Sequence, residues 1–457
     1  MSKATRQKTK RCQHREVPTG ETPGEALSRA EGGEAMLPQR DVTDAGQSLL
    51  ARALETQNMH SAWKRVKRNK GAAGVDGMDI VQTGRHLASA WPQIKAELLT
   101  GNYRPSPVRR LSIPKPQGGT RELGIPTVTD RLIQQAVLQV LQPMIEPSLS
   151  ESSYGFRPGR RATDAVQQAQ RYVQSGKTVV VDIDLEKFFD RINHDLLMQR
   201  LKDRIKDEPV TRLIRRYLDA GVMDCGVLIE RHEGTPQGGP LSPLLANLLL
   251  DAVDKTLERR GHSFVRYADD CNVYVGSHKA GARVMRTMSV LYGTLKLKIN
   301  EQKSAVADAL GRKFLGYELW RNGKGEIKRA TAKQAIARFK TRIRQGTRRN
   351  AGRSMSQVIA GLRPYLLGWK AYFGLSQTPG VWRGLDEWLR HRMRALQLKQ
   401  WRRGTTIWRE LKALGAPDYV ARTVAANSRR WWRNSAGSLN SVLTIAYFDR
   451  LGLPRLC

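Results

Sequence analysis

Cysteine is scarce. The chain has only Cys12, Cys225, Cys271 and Cys457, and no two of them form a CxxC pair. That excludes a zinc ribbon and gives no disulfide framework, and it suits a reducing cytoplasm. Long apolar runs are also missing. Nowhere do eighteen apolar residues follow one another, so no membrane-spanning helix is expected. The basic start, Met1 to Arg11, lacks the apolar stretch of a secretory signal. Glu16, Glu21, Glu25, Glu31, Glu34, Asp41 and Asp44 follow it, and mitochondrial transit peptides avoid acids. Acids are the third shortage. The chain has 42 Asp and Glu against 78 Lys and Arg, a net charge of +36. So basic a surface gathers polyanions. A histone-like binder would have a small core and few acidic motifs. This chain is 40% hydrophobic over 457 residues, enough for two or three domains.

What is present divides along the chain. Residues 1–45 are polar and without periodicity, which predicts a disordered tail. From 46 to about 320, helical patterns such as Asp130 to Leu141 alternate with short β-rich runs. Those runs are Thr178 to Leu185, Phe264 to Tyr267 and Cys271 to Val275. The mixture predicts an α+β fold with helices on one face of a sheet. Residues 321–457 hold 29 Lys and Arg against six Asp and Glu, and seven of the ten tryptophans. Basic residues interleaved with aromatics suit an RNA-holding helical module. For any single tryptophan, a place in the core of that module is the better expectation.

Two segments place acids where acids are costly. Tyr267-Ala268-Asp269-Asp270 lies between two apolar runs, which predicts strand, tight turn, strand with two acids at the tip. Adjacent like charges there need a cation. In the second segment, Val179 to His194, a Val/Ile strand runs into acids. Asp182 and Asp184 are two apart and share a sheet face, so by pattern alone either is a candidate ligand. Hard carboxylate oxygens suit Mg²⁺, and two such ions about 4 Å apart are what phosphoryl transfer to a nucleotide requires.

Together the two segments resemble motifs A and C of reverse transcriptases. In that family the motif-A ligand lies five residues before an aromatic side chain that blocks the sugar 2′-OH. Asp184 and Phe189 have that spacing. The resemblance implies that Asp184 and Asp269 bind the Mg²⁺ ions, with Asp270 assisting and Mn²⁺ able to substitute. It makes the Leu185 carbonyl a further ligand and gives Phe189 a preference for deoxynucleotides. Gly234 to Asp251, a Gly/Pro loop opening an apolar helix, resembles motif B. It implies Gln237 near the incoming nucleotide and Gly238 against the template. Ile113 to Pro126 resembles the fingers hairpin, where Lys115 and Arg121 would clamp a triphosphate. Ser153 to Arg160 resembles the next motif, with Arg157 as a template contact. Lys303 matches a motif-D lysine, a general acid toward pyrophosphate. Phe314-Leu-Gly-Tyr317 resembles the primer-grip turn.

The resemblance covers about residues 60–450 and is to the reverse transcriptase/maturases of group II introns. Lys70 to Gly77 is similar to that family's N-terminal extension. Leu366 to Gly374, Leu385 to Arg394 and Lys399 to Arg403 are similar to its maturase domain. The implied fold is a right-hand polymerase. Fingers and palm, with an antiparallel palm sheet, occupy 46–325. A helical thumb (326–375) and an RNA-binding maturase domain (376–457) follow, with Arg390, Arg394 and Arg402 as RNA contacts. The implied partners are intron RNA, a DNA target or primer strand and dNTPs, and a homodimer is compatible. After residue 403 no CxxC pair or His-rich tail follows, so no HNH endonuclease is expected, and priming would need nicked or single-stranded DNA. A splicing-only maturase and a host-adopted enzyme, in antiviral defence or CRISPR spacer acquisition, are the alternatives.

Overall fold

The computed structural model describes residues 48–114, 119–224, 226–229, 233–236 and 238–457. The tail expected at 1–45 lies outside them. The chain divides into two compact units. The first comprises residues up to Arg160 with Val181–Val273 and Lys279–Val306; the second comprises Arg161–Val180, Tyr274–His278 and Ala307–Cys457.

The described residues contain strands β1 (Val108–Pro114), β2 (Thr120–Ile125), β3 (Val179–Ile183), β4 (Val222–Asp224), β5 (Val227–Ile229), β6 (Ser263–Tyr267), β7 (Asp270–Val275), β8 (Ala305–Asp308), β9 (Lys313–Phe314), β10 (Tyr317–Arg321) and β11 (Ile327–Thr331). They form three sheets, ordered β2-β1-β4-β5, β6-β7-β3-β8 and β11-β10-β9. The expected fingers hairpin is β1 and β2, antiparallel with Pro114 opposite Thr120. β6 and β7 are sheet neighbours joined by a two-residue turn, a connection that only antiparallel strands can make.

In the first unit the helix Val128–Ile145 takes its start from Thr127, whose hydroxyl accepts from the Asp130 amide. It buries Leu132, Ile133, Ala136, Val137 and Leu141. The helix Ser242–Arg259 is buried on nearly every side, including Leu244, Leu245, Leu248, Leu249 and Leu250. It is the apolar spine against which the acidic hairpin is built. Its burial also explains three polar residues, Asn247, Asp251 and Asp254, because a buried polar group needs a partner.

In the second unit the helices Lys333–Gly346, Met355–Phe373 and Pro379–Trp401 share one core. Trp369 sits at its centre, with ring centroids 4.5 Å from Phe339 and 4.9 Å from Trp382. The core continues through Ile407, Val424 and Phe448 to Leu456. Residues on both sides of residue 375 belong to this core. Leu315 (φ 48°) and Gly316 (φ 79°) turn the chain between β9 and β10. Two successive left-handed residues make the hairpin turn that matches strand twist.

Candidate active site

The hairpin tip is Ala268-Asp269. Ala268 has φ 58°, a left-handed conformation that costs a residue with a Cβ on the order of 1 kcal/mol. Something must hold it, and a buried network does. The Arg266 side chain is wholly buried and pairs in bidentate fashion with Asp254, Nε at 2.8 Å from Oδ1 and Nη2 at 2.5 Å from Oδ2. Its Nη1 donates to the Ala268 carbonyl at 3.0 Å and to Asn247 Oδ1 at 2.9 Å. Asn247 in turn donates to the Gly155 carbonyl at 2.8 Å. Gly155 lies so close to the turn that a Cβ there would overlap the Ala268 amide nitrogen. The backbone either side of Ser153 clasps the strand, Arg266 N–H to Ser152 O at 2.9 Å and Tyr154 N–H to Arg266 O at 2.8 Å.

Asp184 follows the end of β3, between β7 and β8 in the sheet. Val179, Val180, Val181 and Ile183 anchor it in the core. Ser304 fixes its backbone: Oγ accepts from the Asp184 amide at 3.0 Å. Glu186 N–H to Lys298 O and Asn300 N–H to Asp184 O are the bonds that flank the pair Leu185–Ile299. Leu185 thus occupies a non-hydrogen-bonded position and turns its carbonyl away from Ile299. Asp182, the other candidate, faces Asn272. With that amide oriented as hydrogen bonding requires, its nitrogen lies 3.0 Å from Asp182 Oδ1.

Asp269 feels the charge of Asp184. Burial pushes the Asp269 carboxyl above its usual range, and the Asp184 charge pushes it further. Its own amide, Arg121 and Arg266 act in the opposite direction. A buried carboxyl beside a second carboxylate is a standing attraction for a cation. The Lys303 ammonium supplies one, with Nζ 3.5 Å from Asp184 Oδ2. Arg121, exposed on β2, is near enough for its charge to act on Asp269. Asp270 begins β7 and is exposed. Among the described residues no three His, Cys, Asp or Glu side chains gather closely enough to hold a metal ion. Two carboxylates, Asp184 and Asp269, thus stand at neighbouring strands of one sheet. That suits Mg²⁺, which takes one or two carboxylates and fills its shell with phosphate and water.

Phe189 is buried in a short 3-10 turn, its ring 5.1 Å from that of Phe188. The motif-B loop closes on this turn. Thr235 N–H bonds the Phe189 carbonyl at 2.7 Å, and Gly234 (φ 88°) leaves no room for a Cβ, which would lie 2.9 Å from the Asp190 carbonyl. Buried His194 bridges Gly234 O at 2.7 Å and Asp219 Oδ1 at 3.2 Å. Gly238 (φ 144°) is exposed and presses its backbone on Gly124. Lys115 and Gln237 lie outside the described residues.

Three expected nucleic-acid contacts are corrected. Arg157 is buried: its Nε pairs with Glu146 at 2.6 Å, and Nη1 donates to the Ser150 and Ser153 carbonyls. Its guanidinium braces the loop behind the hairpin and offers a template nothing. The glycine two residues earlier, Gly155, is what that motif contributes to the site. Arg390 is buried between Asp386, at 2.7 Å, and Asp449. Arg394 is buried beneath Phe448 and donates to the Leu443 carbonyl at 2.8 Å. Burial, with Arg390 adding, lowers its pKa to about 10. Their helix turns these two arginines inward, where the resemblance implied RNA contacts. Arg402 is exposed.

Sequence reading missed Arg266, Asp254, Asn247, Gly155 and His194. A signal existed for three of them. Asn247 and Asp254 are seven apart on one face of an apolar helix, and Arg266 interrupts an apolar strand beside it.

The reverse transcriptase (RNA-dependent DNA polymerase) family model matches residues 113–319, and the group II intron maturase-specific domain model matches 336–414. Protein YkfC of Escherichia coli (strain K12) is 33% identical over 317 residues, 60% of this chain and 83% of that protein. The chain belongs to the group II intron reverse transcriptase/maturase family. The group II intron-encoded protein LtrA of Lactococcus lactis subsp. cremoris is 33% identical over 264 residues, 57% of this chain but 44% of LtrA. The putative COX1/OXI3 intron 2 protein of Saccharomyces cerevisiae is 28% identical over 318 residues, 56% of this chain and 37% of that protein. The chain thus spans less than half the length of these two intron proteins. The maturase match straddles residue 375, in keeping with the continuous core there. No helix among the described residues is long and apolar enough to cross a membrane.

Proposed function

We propose that this reverse transcriptase/maturase copies a group II intron RNA into DNA from a DNA primer, and that its helical unit grips the same RNA and assists its splicing. The observation that carries the reading is the position of Asp184 and Asp269 at neighbouring strands of one sheet, in a chain that also carries the maturase-specific domain. Asp184, Asp269 and the Leu185 carbonyl would hold the two Mg²⁺ ions, with Asp270 assisting. Bound divalent metal supplies the charge that acidifies a primer 3′-OH and neutralises a triphosphate.

The chain's own groups do the rest. Arg121 places a charge beside Asp269, where an incoming triphosphate would lie. Lys303, paired with Asp184, would donate a proton to departing pyrophosphate. Phe189, packed on Phe188 and with its carbonyl held by the Thr235 amide, would reject a 2′-OH.

Primer extension on an RNA template tests this. Asp269→Ala should fall to background, and unchanged extension would sink the metal assignment. Phe189→Ala should keep dNTP incorporation within about tenfold and raise ribonucleotide use by on the order of 10- to 100-fold, since one steric clash is worth a few kcal/mol. The splicing role is checked separately. Added protein should lower the Mg²⁺ needed for self-splicing of the cognate intron.

A further inference from the structure

The helical unit places three cations around one indole. Lys340 Nζ lies 5.8 Å from the Trp388 ring centroid, Arg344 Cζ 5.5 Å and Arg392 Cζ 5.5 Å. Trp388 is half-buried, anchored against the core that Trp369 and Trp382 build. Arg392 is held in place, its Nε donating to Thr347 Oγ1 at 2.8 Å.

This cluster lacks the acid that would ordinarily explain it. Of the six acids in 321–457, five are already paired with other cations: Glu326 with Lys328, Asp386 with Arg390, Glu410 with Arg409, Asp418 with Arg422, and Asp449 with Arg455. The sixth, Glu387, makes no ion pair among the described residues, and neither do Lys340, Arg344 or Arg392. The Arg392 charge is moreover disfavoured, by burial first and by Arg344 second. An indole face attracts a cation, and a helix C-terminus such as that of Lys333–Gly346 favours one. One ring and one helix end do not offset the crowding of three. Such a cluster is complete only with an anion.

Resting on the reading of the chain as an RNA-gripping enzyme, we propose that Lys340, Arg344 and Arg392 form a phosphate seat for an RNA backbone, with Trp388 as its floor. The arginines present planar donors to phosphate oxygens, and Lys340 adds a point charge. The seat replaces Arg390 and Arg394 as the contact this helix makes. Arg392 lies between them in sequence and faces the other way. A second cation nearby in sequence has the same character: Arg349, stacked 3.8 Å from the Trp431 ring, also follows the helix that bears Lys340 and Arg344.

The test is RNA binding by the full chain, followed by fluorescence anisotropy with a labelled single-stranded RNA across a salt series. The variant is Lys340→Gln/Arg344→Gln/Arg392→Gln. The control is Lys64→Gln/Lys67→Gln/Arg68→Gln, which removes the same charge from an exposed helix elsewhere. The seat predicts at least a tenfold weaker Kd at 150 mM salt. It predicts a plot of log K against log salt flatter by about 2, the share of three phosphates on a single strand. The control should stay within threefold. Relief of repulsion predicts a melting temperature equal to or above that of the parent. Equal losses in variant and control, or affinity lost only together with thermal stability, would overturn the proposal. Primer extension separates it from the parent reading: if the unaltered chain extends nothing yet the variant alone loses RNA, the seat stands and the polymerase assignment falls.

Discussion

Among single residues, one that the site needs is a glycine with no chemistry of its own. Gly155 packs where any side chain would strike the Ala268 amide, and that amide belongs to the turn that aims Asp269. Gly155→Ala must displace the turn, and a displacement of about 1 Å at a catalytic carboxylate costs on the order of 100-fold in rate. Primer extension should fall by that order while RNA affinity stays within twofold; a parallel loss of both would place the effect on folding instead. The opposite change is expected at Ala268. Glycine there relieves the left-handed strain, so Ala268→Gly should leave the melting temperature unchanged or slightly raised. Residues of this kind were hard to read from sequence. The two acidic segments were legible because charge at the end of an apolar strand is anomalous by itself, whereas the choice of Asp184 over Asp182 came from the family resemblance. A glycine's meaning depends on what its missing Cβ would meet, and that neighbour is more than a hundred residues away.

Between elements, the hairpin β6–β7 and the helix Ser242–Arg259 are locked by the Arg266–Asp254 pair. Both side chains are wholly buried, so removing one strands the other without solvent. Arg266→Met alone should destabilise the fold by about 3–5 kcal/mol. Arg266→Met with Asp254→Leu removes both charges and should recover most of that loss, as apolar replacements of buried pairs commonly do. Activity should not recover, because the Ala268 carbonyl loses its donor in both variants. Denaturant melts and single-turnover extension of the double variant check this; full activity would show that the pair only stabilises. The elements themselves were largely legible. Short β-rich runs marked β3, β6 and β7, and the Val128–Ile145 helix was visible from Asp130 onward. The inward turn of Arg390 and Arg394 was not. On a helix gripped on several sides, acids distant in sequence, such as Asp449, decide which arginines are buried.

At the scale of the whole molecule, a net charge of +36 has two consequences of opposite sign. A chain so short of acids repels itself, and salt screens that repulsion. The ion pairs of the described residues are mostly at the surface, where each contributes about 0–1 kcal/mol, too little to reverse the trend. Raising salt from 50 to 500 mM should therefore raise the melting temperature by a few degrees. The same salt competes with the chain for RNA phosphates. For six or more contacts, affinity should fall on the order of 10³-fold between 50 and 200 mM. Asp269→Ala alters one acid far from the basic helices of the second unit in sequence, and its RNA affinity and salt slope should match the parent even as extension vanishes. Thermal melts and anisotropy on the same samples read both curves. A melting temperature that fell with salt would mean that the ion pairs outweigh the repulsion, and that the excess charge of this chain is already balanced within its own fold.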